Sequence, residues 1–209
     1  MTVVDILLAV LAVGVALWLR PWRAVGPSGP PWPWLAWCAV LPMVWGVDHY
    51  VGSVVVQPLS GATLLMLLAG WPLAVLALLP VALVTAVLAH LEWLEALHRY
   101  VWLGLVPATA ALAIGAALRR WLPHHLFIYI LGRGFFGTVL SSVLASWLSL
   151  WLHGGPAGVD VGEAMVARWL AAWGDGFLAG MLVAIFVAFR PEWLATYADR
   201  IYLLPPDRR

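Results

Sequence analysis

The sequence contains no lysine and few charged residues of any kind, only 10% of its 209 positions. Ordinary soluble domains are about 25% charged and about 45–50% apolar, whereas this chain is 64% hydrophobic with a mean hydropathy of +0.96. A soluble fold of this length has too little interior to bury so much apolar surface, so the composition indicates an integral membrane protein. With a formal net charge of +1, the chain has no basic excess with which to bind nucleic acid.

Signatures of catalysis are also missing from the sequence. The single cysteine, Cys38, lies in an apolar run, which excludes an internal disulfide and a zinc site built on cysteines. The sequence has no HExxH motif and no Walker A motif, so any ATP hydrolysis would need another chain. No acid–base pair is recognisable within an apolar run. We therefore expect that the chain is not an enzyme.

Seven apolar segments are candidates for membrane-spanning helices, since about 20 apolar residues cross roughly 30 Å of hydrocarbon. They are 3–19, 33–48, 51–69, 72–89, 100–118, 126–152 and 164–189. The third and fourth form one continuous apolar stretch, which we divide at Gly70-Trp71-Pro72 because glycine favours helix ends and proline the first helical turn. The sequence thus predicts an all-α fold, a compact bundle of about seven transmembrane helices that forms a single domain over residues 1–209.

The arginines decide between seven spans and six. With seven, most of them share one side of the membrane: Arg20, Arg23, Arg119, Arg120, Arg190, Arg200, Arg208 and Arg209. A single span from about 60 to 89 would give six and place the basic loops 20–32 and 119–125 on opposite sides. The positive-inside rule therefore favours seven spans, with the amino terminus outside and the carboxy terminus inside. We expect a multi-pass protein of the bacterial inner membrane, in contact with lipid.

The connections on the outer side carry groups that bind cations. The candidate metal ligands are His49, His90, His98, His153, Asp48 and Glu92. Imidazole and carboxylate suit divalent transition metals. Only neutral imidazole binds a metal, so we expect binding to weaken as the pH falls through about 6.5. The alternative is a solvated loop whose histidines bind nothing, because the spacing over residues 90–98 matches no specific metal motif.

Two ionisable residues, Asp175 and Arg133, lie within predicted spans, where a charge is costly and indicates a functional site by default. A salt bridge between them, clamping the last two spans, is the structural alternative. The same spans contain many glycines, with a GxxxG pair at Gly176 and Gly180, which predicts close helix packing. Tryptophans near span ends, Trp102 among them, are expected to anchor the membrane interfaces.

Several motifs together carry a resemblance to a known family. Gly174 to Met181 forms a glycine–acidic–small helix, and Phe189 to Leu194 follows with an Arg-Pro-acidic exit. These stretches resemble the last helix of energy-coupling-factor permeases for cobalt and nickel, the CbiM/NikM type. Matches to an uncharacterised bacterial branch occur in the same order, at Gly70 to Ala74, Leu122 to Ile130, Phe135 to Gly137 and Asp199 to Leu203.

The resemblance implies a substrate-binding membrane component that captures a divalent transition metal and works with a transmembrane coupling protein and cytoplasmic ATPases. The metal would be a substrate and not a resident cofactor. Metal-binding members begin Met-His and use that start as a chelate, whereas this chain begins Met1-Thr2-Val3, so only Asp175 and its glycines transfer residue by residue. The alternative function is a non-transporting scaffold or assembly subunit of a larger membrane complex.

Overall fold

The computed structural model describes residues 2–24, 32–52, 57–123, 125–155 and 158–197. In these ranges all regular secondary structure is helical, which confirms the all-α class. The α-helices are α1 Thr2–Trp18, α2 Trp32–Trp45, α3 Val47–Val51, α4 Ala62–Ala69, α5 Trp71–Leu88, α6 Trp93–Arg99, α7 Val106–Trp121, α8 Gly137–His153 and α9 Val161–Phe189. Three of the arginines that were predicted to lie on the inner side, Arg200, Arg208 and Arg209, fall outside the described residues. The Asp199 to Leu203 motif also falls outside them.

Two of the longest helices contain π-helical turns. Tyr100–Leu105 joins α6 to α7 in one continuous helix, Trp93–Trp121, and Ile128–Phe136 leads into α8 in another, Ile128–His153. With α5 and α9, they make four helices that are long and apolar enough to cross a membrane. The helices α1 and α2 are apolar but shorter, with 17 and 14 residues. The described helices are therefore those of a membrane protein.

The third predicted span, 51–69, is not a continuous helix in the structure. Residues 57–61 are non-helical, and α4, with eight residues, is too short to cross the hydrocarbon by itself. Every residue of α4 from Ala62 to Leu68 is buried, between α2, α5, α7, α8 and α9. Apolar periodicity does not distinguish a buried half-helix from a span, which is why the sequence predicted one helix here. The predicted break at Gly70, by contrast, is present between α4 and α5.

The non-helical segment 57–61 is held in the interior by long-range hydrogen bonds. The indole nitrogens of Trp45 and Trp37 donate to the carbonyl oxygens of Ser60 and Gly61, at 2.9 and 2.8 Å. Gly61 has a φ of +62°, and a Cβ there would lie 2.5 Å from Leu41 Cδ2. Irregular backbone at membrane depth is tolerated only where protein satisfies its polar groups, and these tryptophans supply part of that requirement.

Close packing joins α9 to the Ile128–His153 helix, as the glycines predicted. A Cβ on Gly176 would overlap Cγ2 of Val139, and one on Gly180 would lie 3.0 Å from Cβ of Phe135. The two backbones approach so closely that only hydrogen fits at these positions.

The helix ends form two groups, according to the residues with which they are in contact. We call one group the arginine end: Arg20, Arg119 and Arg190 lie there, near the residues that follow α9. Arg20 lines a groove with Gly70 and Ala195, and the Ala195 amide donates to the Leu68 carbonyl at 3.2 Å. The other is the histidine end, at the start of α1 and α6 and the end of α8. It carries Asp5, Asp48, Glu95, His98 and His153.

Candidate metal site and polar cavity

Asp5 is the centre of a buried polar cluster at the histidine end. Asp5 is only 4% exposed, and its Oδ1 accepts a hydrogen bond from Nε1 of Trp102 at 2.9 Å. Nδ1 of His98 lies 3.3 Å from Oδ2, and Nε2 of His153 lies 3.3 Å from Oδ1. One potential ligand atom from each of Asp5, His98 and His153 lies within 4.8 Å of the others. We call these three residues the Asp5 cluster.

Local backbone geometry brings the cluster together. His98 lies in the last turn of α6, and Trp102, four residues later, lies in the π-helical turn that follows, so both face α1. Single π-helical turns inside α-helices occur frequently at functional sites. His153 is the last residue of α8, which ends at Gly154 with a φ of +80°. The cluster thus draws one residue from each of three helices that are far apart in sequence.

The ring of His153 is oriented by the backbone. Its Nδ1 lies 3.3 Å from the carbonyl oxygen of Ser149, and because a carbonyl only accepts, Nδ1 carries the ring proton. In a neutral ring Nε2 then presents a lone pair to Oδ1 of Asp5, which is also an acceptor, and Nε2 is buried without a hydrogen-bond donor. Two facing acceptors require a cation between them, either a proton or a metal ion.

The spacing of the Asp5 cluster fits a metal ion. Two ligands bound at about 2.0–2.1 Å in tetrahedral geometry are about 3.3–3.4 Å apart, and both histidine nitrogens lie 3.3 Å from a carboxylate oxygen. Ser149 orients both rings, since its hydroxyl lies 3.5 Å from Nε2 of His98. A second bond of this kind, from the unligated ring nitrogen to a carbonyl or hydroxyl, is the usual support of metal-binding histidines.

Asp48 and His49, two predicted ligands, are engaged by Arg99. The guanidinium is 7% exposed and donates to both carboxylate oxygens of Asp48, at 2.9 and 2.7 Å, to Glu95 at 2.7 Å, and to the Trp45 carbonyl. Nδ1 of His49 lies 3.1 Å from the same group. Burial opposes ionisation of Asp48, but hydrogen bonding and the charge of Arg99 outweigh it and lower the pKa of this carboxyl below its usual value.

The other two predicted ligands are His90 and Glu92. In the part of the chain that the structure describes, they belong neither to the Asp5 cluster nor to the group of residues around Arg99. Both side chains are exposed. His90 has a φ of +52° in the turn after α5, and Glu92 precedes the first residue of α6. Of the six predicted ligands, His98 and His153 meet at Asp5, whereas Asp48 and His49 meet at Arg99. Asp5 was missed, although it is the one charge in the first apolar run, a position that indicates function.

A polar cavity of about 150 Å³ separates the Asp5 cluster from the Arg99 ion pairs. His98 and Ser149 form one side, and Arg99 with Asp48 and Glu95 another. The remaining walls come from Gln57, Pro58, Trp102, Leu103, Ser146 and Arg168. The broken segment 57–61 thus borders a water-accessible space at the histidine end, and the partly exposed ring of His98 connects the cluster with it.

Asp175 does not line this cavity and does not pair with Arg133. It is 3% exposed, and its carboxylate accepts from the amides of Ser60 and Gly61 at 2.9 and 3.0 Å, and from Oγ of Ser142 at 3.1 Å. The predicted salt bridge is therefore wrong. The physical reason is the break before α4, which exposes amides in the interior that a carboxylate satisfies better than any neutral group.

Arg133 lies instead toward the arginine end. Its side chain is 4% exposed, Nη1 donates to the Thr196 carbonyl at 3.3 Å, and the guanidinium lies 5.4 Å from the ring centre of Tyr129. These contacts hold the segment that follows α9 against the bundle. Trp102 is likewise not the interfacial anchor that the sequence suggested, because it is buried and donates to Asp5.

Fold and site together define the chain as a helical membrane protein with an interior polar site. Comparison with protein-family models, curated proteins and solved structures finds no match.

Proposed function

We propose that the chain is a membrane component that captures a divalent transition metal, such as cobalt or nickel, through Asp5, His98 and His153. The observation that carries the proposal is the pair of facing acceptors, Nε2 of His153 and Oδ1 of Asp5, at 3.3 Å. A divalent cation between them satisfies both, with His98 as a third ligand. His98 also lines the polar cavity, which provides a route for the ion.

We further propose seven crossings of the bacterial inner membrane, with the histidine end outside. The third crossing ends in α4, Ala62–Ala69, and the described residues directly before it, 57–61, are non-helical. Two observations support this topology. Successive connections alternate between the two ends, and the arginine end carries Arg20, Arg119 and Arg190, as the positive-inside rule requires of a cytoplasmic face.

The energy for uptake would come from other chains. The sequence has no Walker A motif, so a transmembrane coupling protein and cytoplasmic ATPases, as the resemblance to energy-coupling-factor permeases implies, would drive release of the ion. In this arrangement the metal is a substrate, and the chain carries out no covalent chemistry.

Titration of the purified protein with Co²⁺ in lipid nanodiscs tests the capture site. Calorimetry measures the affinity, and the visible absorption of Co²⁺ reports its coordination. We expect Asp5→Asn, His98→Gln and His153→Gln each to weaken binding by at least about tenfold, since loss of a supporting hydrogen bond alone typically costs 10–100-fold. His90→Gln and Glu92→Gln are matched controls, because both residues are exposed at the same end, and they should bind as the wild type does.

Two results would overturn the proposal. One is the absence of Co²⁺ and Ni²⁺ binding to the wild-type protein, which would assign a proton to the space between His153 and Asp5. The other is unchanged affinity in all three cluster variants. Isolation of the chain with an ATPase pair after mild solubilisation would support transport, whereas isolation with a respiratory or metalloenzyme complex would favour the scaffold function.

A further inference from the structure

Arg168 is the second arginine of the polar cavity, and its surroundings differ from those of Arg99. It extends from α9 and is half-buried in the cavity wall. Nη1 donates to the backbone carbonyl of Ser146. Among the residues that the structure describes, no carboxylate lies within ion-pair distance of Arg168, whereas Arg99 contacts both Asp48 and Glu95. The cavity thus contains one neutralised guanidinium and one without a counter-ion.

Charge balance changes when a metal binds. The cavity and its border contain three carboxylates and two guanidinium groups, those of Asp5, Asp48, Glu95, Arg99 and Arg168. With neutral histidines, the net charge of these groups is −1. A divalent ion at the Asp5 cluster reverses this to +1. Net charge in a partly buried site is costly. Because Arg168 has no anionic partner among the described residues, the metal-bound site favours an anion beside it.

The cavity has room for that anion. A water molecule takes up about 30 Å³ of liquid volume, so about 150 Å³ holds either a few water molecules or one small carboxylate. A carboxylate suits both neighbours: its oxygens bind divalent metals, and its planar pair of oxygens matches the guanidinium fork. His98 of the Asp5 cluster and Arg168 line the same cavity.

We propose that the cavity binds the metal together with a small carboxylate, which places one oxygen on the ion and the other on the guanidinium of Arg168. This inference rests on the proposed function, since it needs an ion at the Asp5 cluster. It makes the captured species a metal–carboxylate complex instead of the hydrated ion. The role of Arg168 is to recognise the anionic part of that complex.

The test compares Co²⁺ binding with and without millimolar acetate, which binds free Co²⁺ only weakly. We expect acetate to tighten binding to the wild-type protein at least about fivefold and to change the visible spectrum of bound Co²⁺. Arg168→Gln should bind Co²⁺ without acetate at least as tightly as the wild type, because it removes a positive charge beside the ion, and it should lose the acetate effect. Arg190→Gln, which alters an exposed arginine at the other end, is the matched control and should keep it.

An unchanged affinity and spectrum of the wild-type protein in acetate would overturn the inference and leave the metal site intact. Retention of the acetate effect in Arg168→Gln would overturn it as well. Failure of Co²⁺ to bind even without acetate would instead overturn the proposed function itself. An acetate effect that is absent from the wild-type protein overturns the inference even if Arg168→Gln does not fold.

Discussion

His153 and Asp5 face each other across 3.3 Å at the histidine end, acceptor against acceptor, from helices almost 150 positions apart in sequence. The carbonyl of Ser149 fixes the ring of His153 so that its free nitrogen points at the carboxylate, and Trp102 fixes the carboxylate from the other side. The proposed cation site needs such an arrangement, in which the orientation of the ligands is set before the ion arrives.

The hydroxyl of Ser149 is expected to tune this site through His98. Ser149→Ala removes the group 3.5 Å from Nε2 of His98 but keeps the backbone carbonyl that orients His153. We expect about tenfold weaker Co²⁺ binding with little change in thermal stability, because loss of such a supporting bond typically costs 10–100-fold. The matched control is Ser146→Ala, one turn earlier on α8. Equal Co²⁺ affinities of the two variants in a calorimetric titration would contradict this role.

The ion pair of Asp48 with Arg99 should make stability depend on pH. A carboxyl whose pKa is lowered in the folded state stabilises the protein above the usual aspartate value of about 3.9, and that stabilisation is lost as the pH falls through the folded pKa. We expect Asp48→Asn to cost about 1–3 kcal/mol at neutral pH, because Glu95 still contacts Arg99. The melting temperature of the variant should also fall less steeply than that of the wild type as the pH drops below about 5 and through the folded pKa.

The control for this measurement is Glu92→Gln, which removes an exposed carboxylate near the same end. It should melt in parallel with the wild type throughout the acid range. Parallel curves for Asp48→Asn and the wild type would show that the ion pair does not contribute to acid stability.

Much of the helical organisation was predictable because it depends on local apolar patterns. The break at Gly70 and the close packing at Gly176 follow from the conformational and steric properties of glycine. The break before α4 was not predictable. It depends on Asp175, more than 110 positions later, whose carboxylate satisfies the amides that the break leaves without helical partners.

The site was predictable only in part, for a similar reason. The sequence predicts His98 and His153 as candidate ligands, but nothing local shows that Asp5, at the start of an apolar helix, lies between them. The π-helical turn Tyr100–Leu105, which directs Trp102 toward Asp5, has no recognised sequence pattern. Asp48 is a plausible ligand by residue type alone, and only the tertiary fold shows that Arg99 occupies both of its oxygens.

Asp175 should act as the clamp of the broken crossing. Asp175→Asn keeps the shape of the side chain, but one carboxylate oxygen becomes an NH₂ group, which donates and cannot accept, so one of the backbone amides of Ser60 and Gly61 faces a donor. We expect a loss of about 1–3 kcal/mol, the cost of a buried donor left unsatisfied. Ser142→Ala removes only the third bond and should cost less, about 0.5–1.5 kcal/mol.

Thermal unfolding in detergent measures both variants against the wild type. A reversed order of stabilities, with Ser142→Ala the weaker protein, would show that the backbone bonds of Asp175 are not what holds the segment 57–61. Arg133→Gln provides a further comparison, since Arg133 makes no ion pair with Asp175 and the two effects should add.

Helix packing at Gly176 should tolerate no side chain. In Gly176→Ala the added methyl overlaps Cγ2 of Val139 and approaches the Phe135 carbonyl to 3.3 Å. Backbone cannot yield as a flexible side chain does, so we expect a loss of about 1–3 kcal/mol, typical of overpacked interiors. Gly14→Ala is the matched control, because Gly14 also lies within a helix but has nothing within 4 Å of an added Cβ. Alanine at position 14 should leave the melting temperature unchanged or raise it slightly. An equal loss of stability from both substitutions would show that the loss comes from helix propensity and not from the contact between α9 and the Ile128–His153 helix.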